Sequence, residues 1–252
     1  MRLRLHRSLT AWKRAHAPAE SFDERDGKLI LILDDIYFSL EDEEYICQIL
    51  LARPVSGEFA RLRGLVLVKG DESHEHWEDA FEKILTPMEE SQICAIVADG
   101  LHGLVSLSNE RGWAYQRCHF HLLKDLKNIC GGHRGASRKR RLKIVQYVRA
   151  ILDTPDERVA KRLVQSLKRL IAHPDCPGSV RKKISGFLKH LSRFRTCYHY
   201  PELLLPKTSN AAECVGRLIR ERLGQMHGVN SVKALVYWLD VILREHPKIH
   251  CV

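Results

Sequence analysis

The chain lacks long apolar runs. None of its 252 residues lies in a stretch that approaches the roughly 20 apolar residues needed to cross a membrane. Its basic start, Met1-Arg-Leu-Arg-Leu-His-Arg7, has no apolar segment of the kind that a secretory signal carries. It also has no internal repeat and no low-complexity tract. These absences predict an intracellular protein without a membrane segment.

A disulfide framework is absent as well. The eight cysteines are scattered along the chain, without the regular spacing of small secreted domains. In an intracellular chain such cysteines are expected to be mostly buried thiols.

Charge is present in excess but unevenly placed. The net charge is +10, yet residues 31–100 hold 16 acidic and 5 basic residues, whereas residues 122–195 hold 20 basic and 5 acidic residues. The basic half predicts a polyanionic partner, most simply nucleic acid. A solvated, lysine- and arginine-rich helical surface is the alternative explanation.

Hydrophobic patterning predicts an α/β fold. The unbroken apolar run from Leu29 to Leu33 is typical of a strand buried on both faces, and Ile93–Ala98 repeats that pattern. A helix is predicted over 71–88, because its apolar residues follow helical spacing. Strands are predicted at 28–34, 44–53, 62–69, 93–98 and 113–117, and further helices over about 119–129, in three segments of 137–195, from about 210, and over 231–244.

Both buried-type strands end in a carboxylate, Asp34 and Asp99. Carboxylates at strand ends can meet at one sheet edge and bind Mg²⁺, which prefers oxygen ligands. Two such ions would support phosphoryl transfer. The candidate third carboxylate is Glu213, which could equally complete a capping box with Asn210. A solvated Asp-Asp turn is the alternative for Asp34.

Four motifs resemble the DDE transposases of the Mutator-like group, which includes related bacterial insertion-sequence enzymes. The resemblance covers about residues 28–245 and depends on the order and spacing of the motifs. They are Leu33-Asp34-Asp35-Ile36-Tyr37-Phe38, Val97-Ala98-Asp99-Gly100-Leu101-His102-Gly103-Leu104, Gln116-Arg117-Cys118-His119-Phe120-His121 and Thr208-Ser209-Asn210-Ala211-Ala212-Glu213.

The resemblance implies an RNase H-like core, a mixed five-stranded sheet flanked by helices, with an all-helical insertion between the second Asp and the Glu. It implies Asp34, Asp99 and Glu213 as catalytic ligands of two Mg²⁺ or Mn²⁺ ions. It also implies Cys118 and His121 as the Cys-x-x-His element of the group. The expected organisation is a basic lead-in (1–27), the first part of the core (28–121), the basic insertion (122–205) and the C-terminal helices of the core (206–252).

The implied activity is Mg²⁺-dependent DNA strand cleavage and strand transfer by a homo-oligomer bound to transposon ends and target DNA. The group normally carries an N-terminal DNA-binding region, and only 27 residues precede the first strand here, so a truncated chain is one expectation. The alternatives are an inactive or domesticated DNA-binding remnant and an RNase H-like nuclease without strand transfer.

One departure concerns the first aspartate, because the group often has Gly where this chain has Asp35. Asp34 aligns better, since it keeps Tyr37 and Phe38 in register. Asp34 is therefore expected to face the metals and Asp35 to point away, toward solvent or a structural partner.

Two further predictions concern zinc and DNA. Cys118-x-x-His121 and Cys130-x-x-His133 form a Cys₂His₂ set on paper, but a helix over 119–129 would separate the pairs by about 18 Å, which argues against a shared zinc site. Two basic groups are predicted to contact DNA phosphates. They are Arg138, Lys139, Arg140 and Arg141 in the insertion, and Arg217 and Arg220 after Glu213.

Overall fold

A computed structural model describes residues 20–100, 102–131, 137–225 and 229–250. The strands are β1 (Leu29–Leu40), β2 (Glu43–Pro54), β3 (Phe59–Lys69), β4 (Ile93–Ala98), β5 (Ala114–Arg117) and β6 (Lys248–His250). The helices of the first half are α1 (His74–Ile84), α2 (Pro87–Gln92), α3 (His102–Glu110) and α4 (His119–Gly131). Those of the second half are α5 (Ser137–Asp153), α6 (Glu157–Ala172), α7 (Gly178–Lys189), α8 (Leu191–Phe194), α9 (Thr196–His199), α10 (Asn210–Gln225) and α11 (Val232–Glu245).

The predicted hairpin of the first two strands is confirmed, but the predicted end of β1 at Asp34 is wrong. β1 continues to Leu40 and pairs with β2 along its whole length, through a turn in which Glu41 and Asp42 both have positive φ. A two-residue turn of this kind matches the twist of antiparallel strands. Asp34 therefore lies within β1, two residues beyond the last parallel pair that β1 makes with β4, Ile32 with Val97.

The sheet is mixed and has six strands rather than the predicted five. Its order is β5-β4-β1-β2-β3-β6, with β1, β4 and β5 parallel and the other neighbours antiparallel. The additional strand, β6, adds three residues to the outer edge of β3. It was missed because three residues cannot display an alternating pattern.

The helix predicted over 71–88 is also shorter than expected. α1 ends at Ile84, and Pro87 opens the separate helix α2, whose N-cap Thr86 forms a capping box with Glu89. Proline suits the first position of a helix because its missing N–H would have no partner there.

Each face of the sheet is covered by helices. Ile30, Ile32 and Ile36 pack with α10 and α11 on one face, whereas Leu29, Leu31 and Leu33 pack with α1 and α3 on the other. This alternation follows from the two-residue period of a strand. It sends the neighbouring side chains of Asp34 and Asp35 to opposite faces of β1.

The basic half forms a helical unit with its own core. Apolar residues of α4 to α8 pack together, among them Leu126, Val148, Leu167 and Phe187. The two predicted breaks within 137–195 are confirmed between α5, α6 and α7, but the third helix is shorter than predicted, because α7 ends at Lys189 and the short helix α8 occupies the rest of the range. The short helix α9 follows. Within the described ranges, no helix is long and apolar enough to span a membrane, and the seven cysteines described there are free thiols.

Candidate active site

Asp34 and Glu213 meet at one imidazole ring. Nε2 of His121 lies 3.8 Å from Oδ1 of Asp34, and Nδ1 of the same ring lies 3.6 Å from Oε1 of Glu213. Asp34 comes from β1, His121 from the first turn of α4 and Glu213 from the first turn of α10. α10 begins at Asn210, so Asn210 is not the N-cap that the capping-box alternative requires. The fold thus brings together three of the predicted residues that lie far apart in sequence.

His121 is held by the Cys-x-x-His element. Cys118 is buried at the end of β5, and its Sγ accepts a hydrogen bond of 3.3 Å from the backbone N–H of Ser209, just before α10. The hydrogen bond with Cys118 raises the pKa of His121 to about 9 despite partial burial, and the charges of Cys118, Asp34 and Asp99 act in the same direction. Burial alone would raise the pKa of the Cys118 thiol, but hydrogen bonds with His121 and Ser209 outweigh it and leave this pKa below its ordinary value. These contacts favour the protonated form of His121 between the side chains of Asp34 and Glu213.

Both of those carboxylates are costly to ionise. Burial raises the pKa of Asp34 to about 7, and His121 only partly offsets this effect. Burial also raises the pKa of Glu213, against the opposing charges of His121, Lys124 and Arg220. When the pKa of a carboxyl group is raised in this way, a cation that binds beside it stabilises the ionised form.

Asp99 follows β4 directly and is the most exposed of the three, with 44% of its side chain accessible. Its carboxylate accepts a hydrogen bond from the backbone N–H of Gly100 and lies 3.9 Å from Nη2 of Arg117. Its negative charge contributes to the raised pKa of Glu213. A Cβ on Gly100 would lie 1.5 Å from that same Nη2, so glycine is what allows the guanidinium to pack against the backbone beside Asp99.

Asp35 lies on the opposite face, with a partner that the sequence did not reveal. Burial raises the pKa of Asp35 and raises that of Glu72 to about 8, and the two carboxyl groups interact directly. Glu72 also accepts a hydrogen bond of 2.6 Å from Nε1 of Trp77. Glu72 belongs to no motif and lies in the loop between β3 and α1, so no sequence pattern pointed to it. The expectation that Asp35 points toward a structural partner matches this arrangement.

The donor set suits a hard cation. Asp34, Asp99 and Glu213 offer carboxylate oxygens, and Oε1 of Glu213 is buried without a hydrogen-bond partner. In the described part of the chain, one group of three ligand atoms lies within 4.8 Å of one another, and it consists of Cys118, His121 and Glu213. Asp34 and Asp99 stand outside that group. α4 runs unbroken from His119 to Gly131 and so keeps Cys118 and Cys130 at its opposite ends, while His133 lies outside the described residues.

The second predicted basic group borders the site. Arg217 and Arg220 are exposed on α10 and line a groove of about 420 Å³ together with Glu213 and Lys124. Arg217 also lies 3.9 Å from Glu221 on the same helix, in an exposed pair that is weak. Arg217, Arg220 and Lys124 therefore lie in the same groove as the Glu213 carboxylate.

The first predicted basic group divides into inward and outward residues. Arg141 is 1% exposed, and its Nε donates to the backbone carbonyl of Cys130, so its predicted contact with DNA phosphate is wrong. Arg140 pairs with Asp175 at 3.0 Å, Lys139 is exposed, and the side chain of Arg138 lies outside the described residues. Lys139 and Arg140 remain predictions as phosphate contacts.

Together, the fold and the site define a mixed α/β protein with a carboxylate and histidine centre on the internal strand β1, just beyond its pairing with β4 and next to a basic helical unit. The chain belongs to the Mutator family of transposases, whose family profile matches residues 25–228. That match contains β1 to α10 and hence Asp34, Asp99, Cys118, His121 and Glu213. Family membership implies an enzyme that cleaves and transfers DNA, with DNA as its substrate. A comparison with curated proteins found no match.

Proposed function

We propose that this transposase cleaves and joins DNA strands in a Mg²⁺- or Mn²⁺-dependent reaction at Asp34, Asp99 and Glu213. The observation that carries the proposal is the meeting of Asp34 and Glu213 at His121, beside the end of the strand that precedes Asp99. We further propose that strands β1 to β5 form an RNase H-like core. The mixed sheet, helices on both faces and a helical insertion between Asp99 and Glu213 support this assignment.

In this proposal the three carboxylates hold the divalent ions. When bound, such ions activate the attacking oxygen of water or of a 3′-hydroxyl and stabilise the leaving oxygen of the phosphodiester. The raised pKa values of Asp34 and Glu213 would fall beside this charge, because an opposite charge favours the ionised carboxylate.

His121 acts as a positioning residue in this scheme. Its two ring nitrogens face Asp34 and Glu213, and it interacts with Cys118, whose Sγ accepts a hydrogen bond from the backbone N–H of Ser209. Loss of this support would leave two buried carboxylates without their shared cation. The role of the Cys-x-x-His element is therefore to set the geometry and ionisation of the two carboxylates.

Arg217, Arg220 and Lys124 would hold the phosphate backbone next to Glu213. They border one groove, and phosphate contacts of this kind orient a duplex without reading its sequence. Assembly into a homo-oligomer on DNA stays a prediction from the sequence.

The test is a plasmid assay with purified protein and supercoiled DNA in Mg²⁺, Mn²⁺ or EDTA. Nicked and strand-transfer products are expected with either metal and not with EDTA. Glu213→Gln should remove both products because it removes a ligand. Glu82→Gln is the matched control, since Glu82 is exposed on α1 away from the site, and it should keep wild-type activity.

The alternatives give different results. Nicking without joined products, on supercoiled target with supplied 3′-hydroxyl ends, would favour a nuclease without strand transfer. Equal nicking by wild type and Glu213→Gln would contradict the proposed site. DNA binding without any nicking in either metal would favour a DNA-binding remnant.

A further inference from the structure

A cavity of about 400 Å³ opens beside Asp99, between α4 and α7, and the proposed chemistry does not use it. Its volume lies within the range of small-ligand sites. Apolar side chains, cations and the carboxylates of Asp99 and Asp125 line it. The apolar residues are Leu122, Ile129 and Phe187, and the cations are Arg117, Lys182 and Lys183.

The apolar wall is fixed by the core of the helical unit. Phe187 is 2% exposed and packs edge-on against Phe194, with 5.3 Å between the ring centroids. The guanidinium of Arg117 lies over the ring of Phe194 at 4.8 Å. Leu122, Ile129 and the small exposed part of Phe187 therefore form a fixed apolar wall against which a planar group can pack.

The charges follow the mouth of the cavity. Lys182 is exposed, Lys183 contacts Asp125, and Arg117 lies beside Asp99. A phosphate alone would not need the apolar wall, and an apolar ligand alone would not need the lysines. A flat, uncharged ring attached to a phosphate satisfies both parts.

We propose that this cavity accepts one unpaired nucleobase of the DNA substrate, with the adjoining phosphate at Lys182 and Lys183. The proposal rests on the proposed function in one respect, because it takes Asp99 as the place where DNA is cut. A base held there would fix the register of the strand relative to Asp99. Unstacking a base has a free-energy cost, which burial of that base against the apolar wall can offset.

Gly186 makes the pocket testable. It lies in α7, it lines the cavity, and a Cβ at this position would meet nothing within 4 Å. Gly186→Leu should therefore fill the cavity without a clash, and replacing glycine inside a helix favours the helix. Gly224→Leu is the matched control, because Gly224 is also helical with open space at its Cβ but lies in α10, outside the cavity.

The experiment measures binding by fluorescence anisotropy in EDTA, so that no cleavage contributes. The probes are a labelled oligothymidylate 12-mer and a 12-mer of the same charge that carries abasic sugars throughout. The wild type should bind oligothymidylate about tenfold more tightly than the abasic strand, the size expected from burying part of one base against apolar side chains. Gly186→Leu should reduce that ratio to about one, and Gly224→Leu should keep it.

Ser179→Leu, at another part of the lining, is the second variant and should act like Gly186→Leu. Equal binding of the two probes by the wild type would overturn the proposal, as would a ratio that both pocket variants retain. Failure of the proposed function is distinguishable, because it would appear as Glu213→Gln cutting like the wild type while the Gly186-dependent ratio persists.

Discussion

Asp34 and Asp35 are neighbours in one strand, yet their surroundings differ in charge. Asp34 faces His121 and Glu213, with the cations Lys124 and Arg220 acting on the same centre. Asp35 faces Glu72 on the other side of the sheet. The charge of Asp99 raises the pKa values of both groups further. One face thus mixes acids with bases, whereas the other pairs acid with acid. Two adjacent residues of one strand can thus place their carboxyl groups in surroundings of different charge.

The largest expected difference between the two faces is in catalysis. Asp34→Asn should lower plasmid nicking about 100-fold or more, because a lost metal ligand removes several kcal/mol of transition-state stabilisation. Asp35→Asn should lower it by less than about tenfold, since Asp35 contacts Glu72 rather than the centre. Initial rates in Mn²⁺ and in Mg²⁺ measure both effects. Similar losses in the two variants would erase the distinction.

A smaller effect is expected when the imidazole of His121 is removed from the face that carries Asp34. His121→Gln should raise the pKa of Asp34 above about 7, because the charge of His121 now lowers it. Since the ionised carboxylate is the active form, the rate profile should shift toward higher pH. The rate at pH 7 should fall about tenfold, typical of the loss of a group that orients a ligand.

Cys118→Ser should give a milder form of the same effect. It weakens the partner that raises the pKa of His121, so it should shift the profile in the same direction but less far. An unchanged profile in both variants would show that His121 does not govern the ionisation of Asp34.

The smallest effect concerns stability on the Asp35 face. The pKa of Glu72 is about 8 in the folded chain, above its ordinary value of 4.5. A raised pKa contributes stability that is complete below about pH 4.5 and is lost as the pH rises through 8. Glu72→Gln should therefore raise Tm by about 2–4 °C at pH 9 and have little effect at pH 5.

Thermal melts at the two pH values measure this difference. Glu82→Gln, on the exposed side of α1, should leave Tm unchanged at both. A Glu72→Gln variant that is less stable than the wild type at pH 9 would contradict an acid-to-acid contact on this face.

Sequence patterns located most of the fold because apolar runs and helical spacing are local signals. They predicted the β1–β2 hairpin, β4 and the helices of the basic half, and the motif resemblance predicted which carboxylates to examine. The end of β1 was wrong because its pairing with β2 continues past Asp34, which only the partner strand determines. Glu72 was missed because a contact between distant segments leaves no motif.

Arg141 illustrates a limit of charge as a signal. A run of basic residues indicates affinity for phosphate but not which member turns inward. Arg141 shares the helical stripe of Ile144, Val145 and Val148, at spacings of three, four and seven residues, all of them buried. That spacing could have identified it as an inward residue.

The central claim is that Asp34, and not Asp35, binds the divalent ion. Mn²⁺ binding to the DNA-free protein, followed by the loss of the free-ion signal in electron paramagnetic resonance, tests it without any catalytic step. The expected result is that Asp34→Asn weakens Mn²⁺ binding at least about tenfold, while Asp35→Asn leaves it close to that of the wild type. Weakened binding in Asp35→Asn with wild-type binding in Asp34→Asn would contradict the assignment.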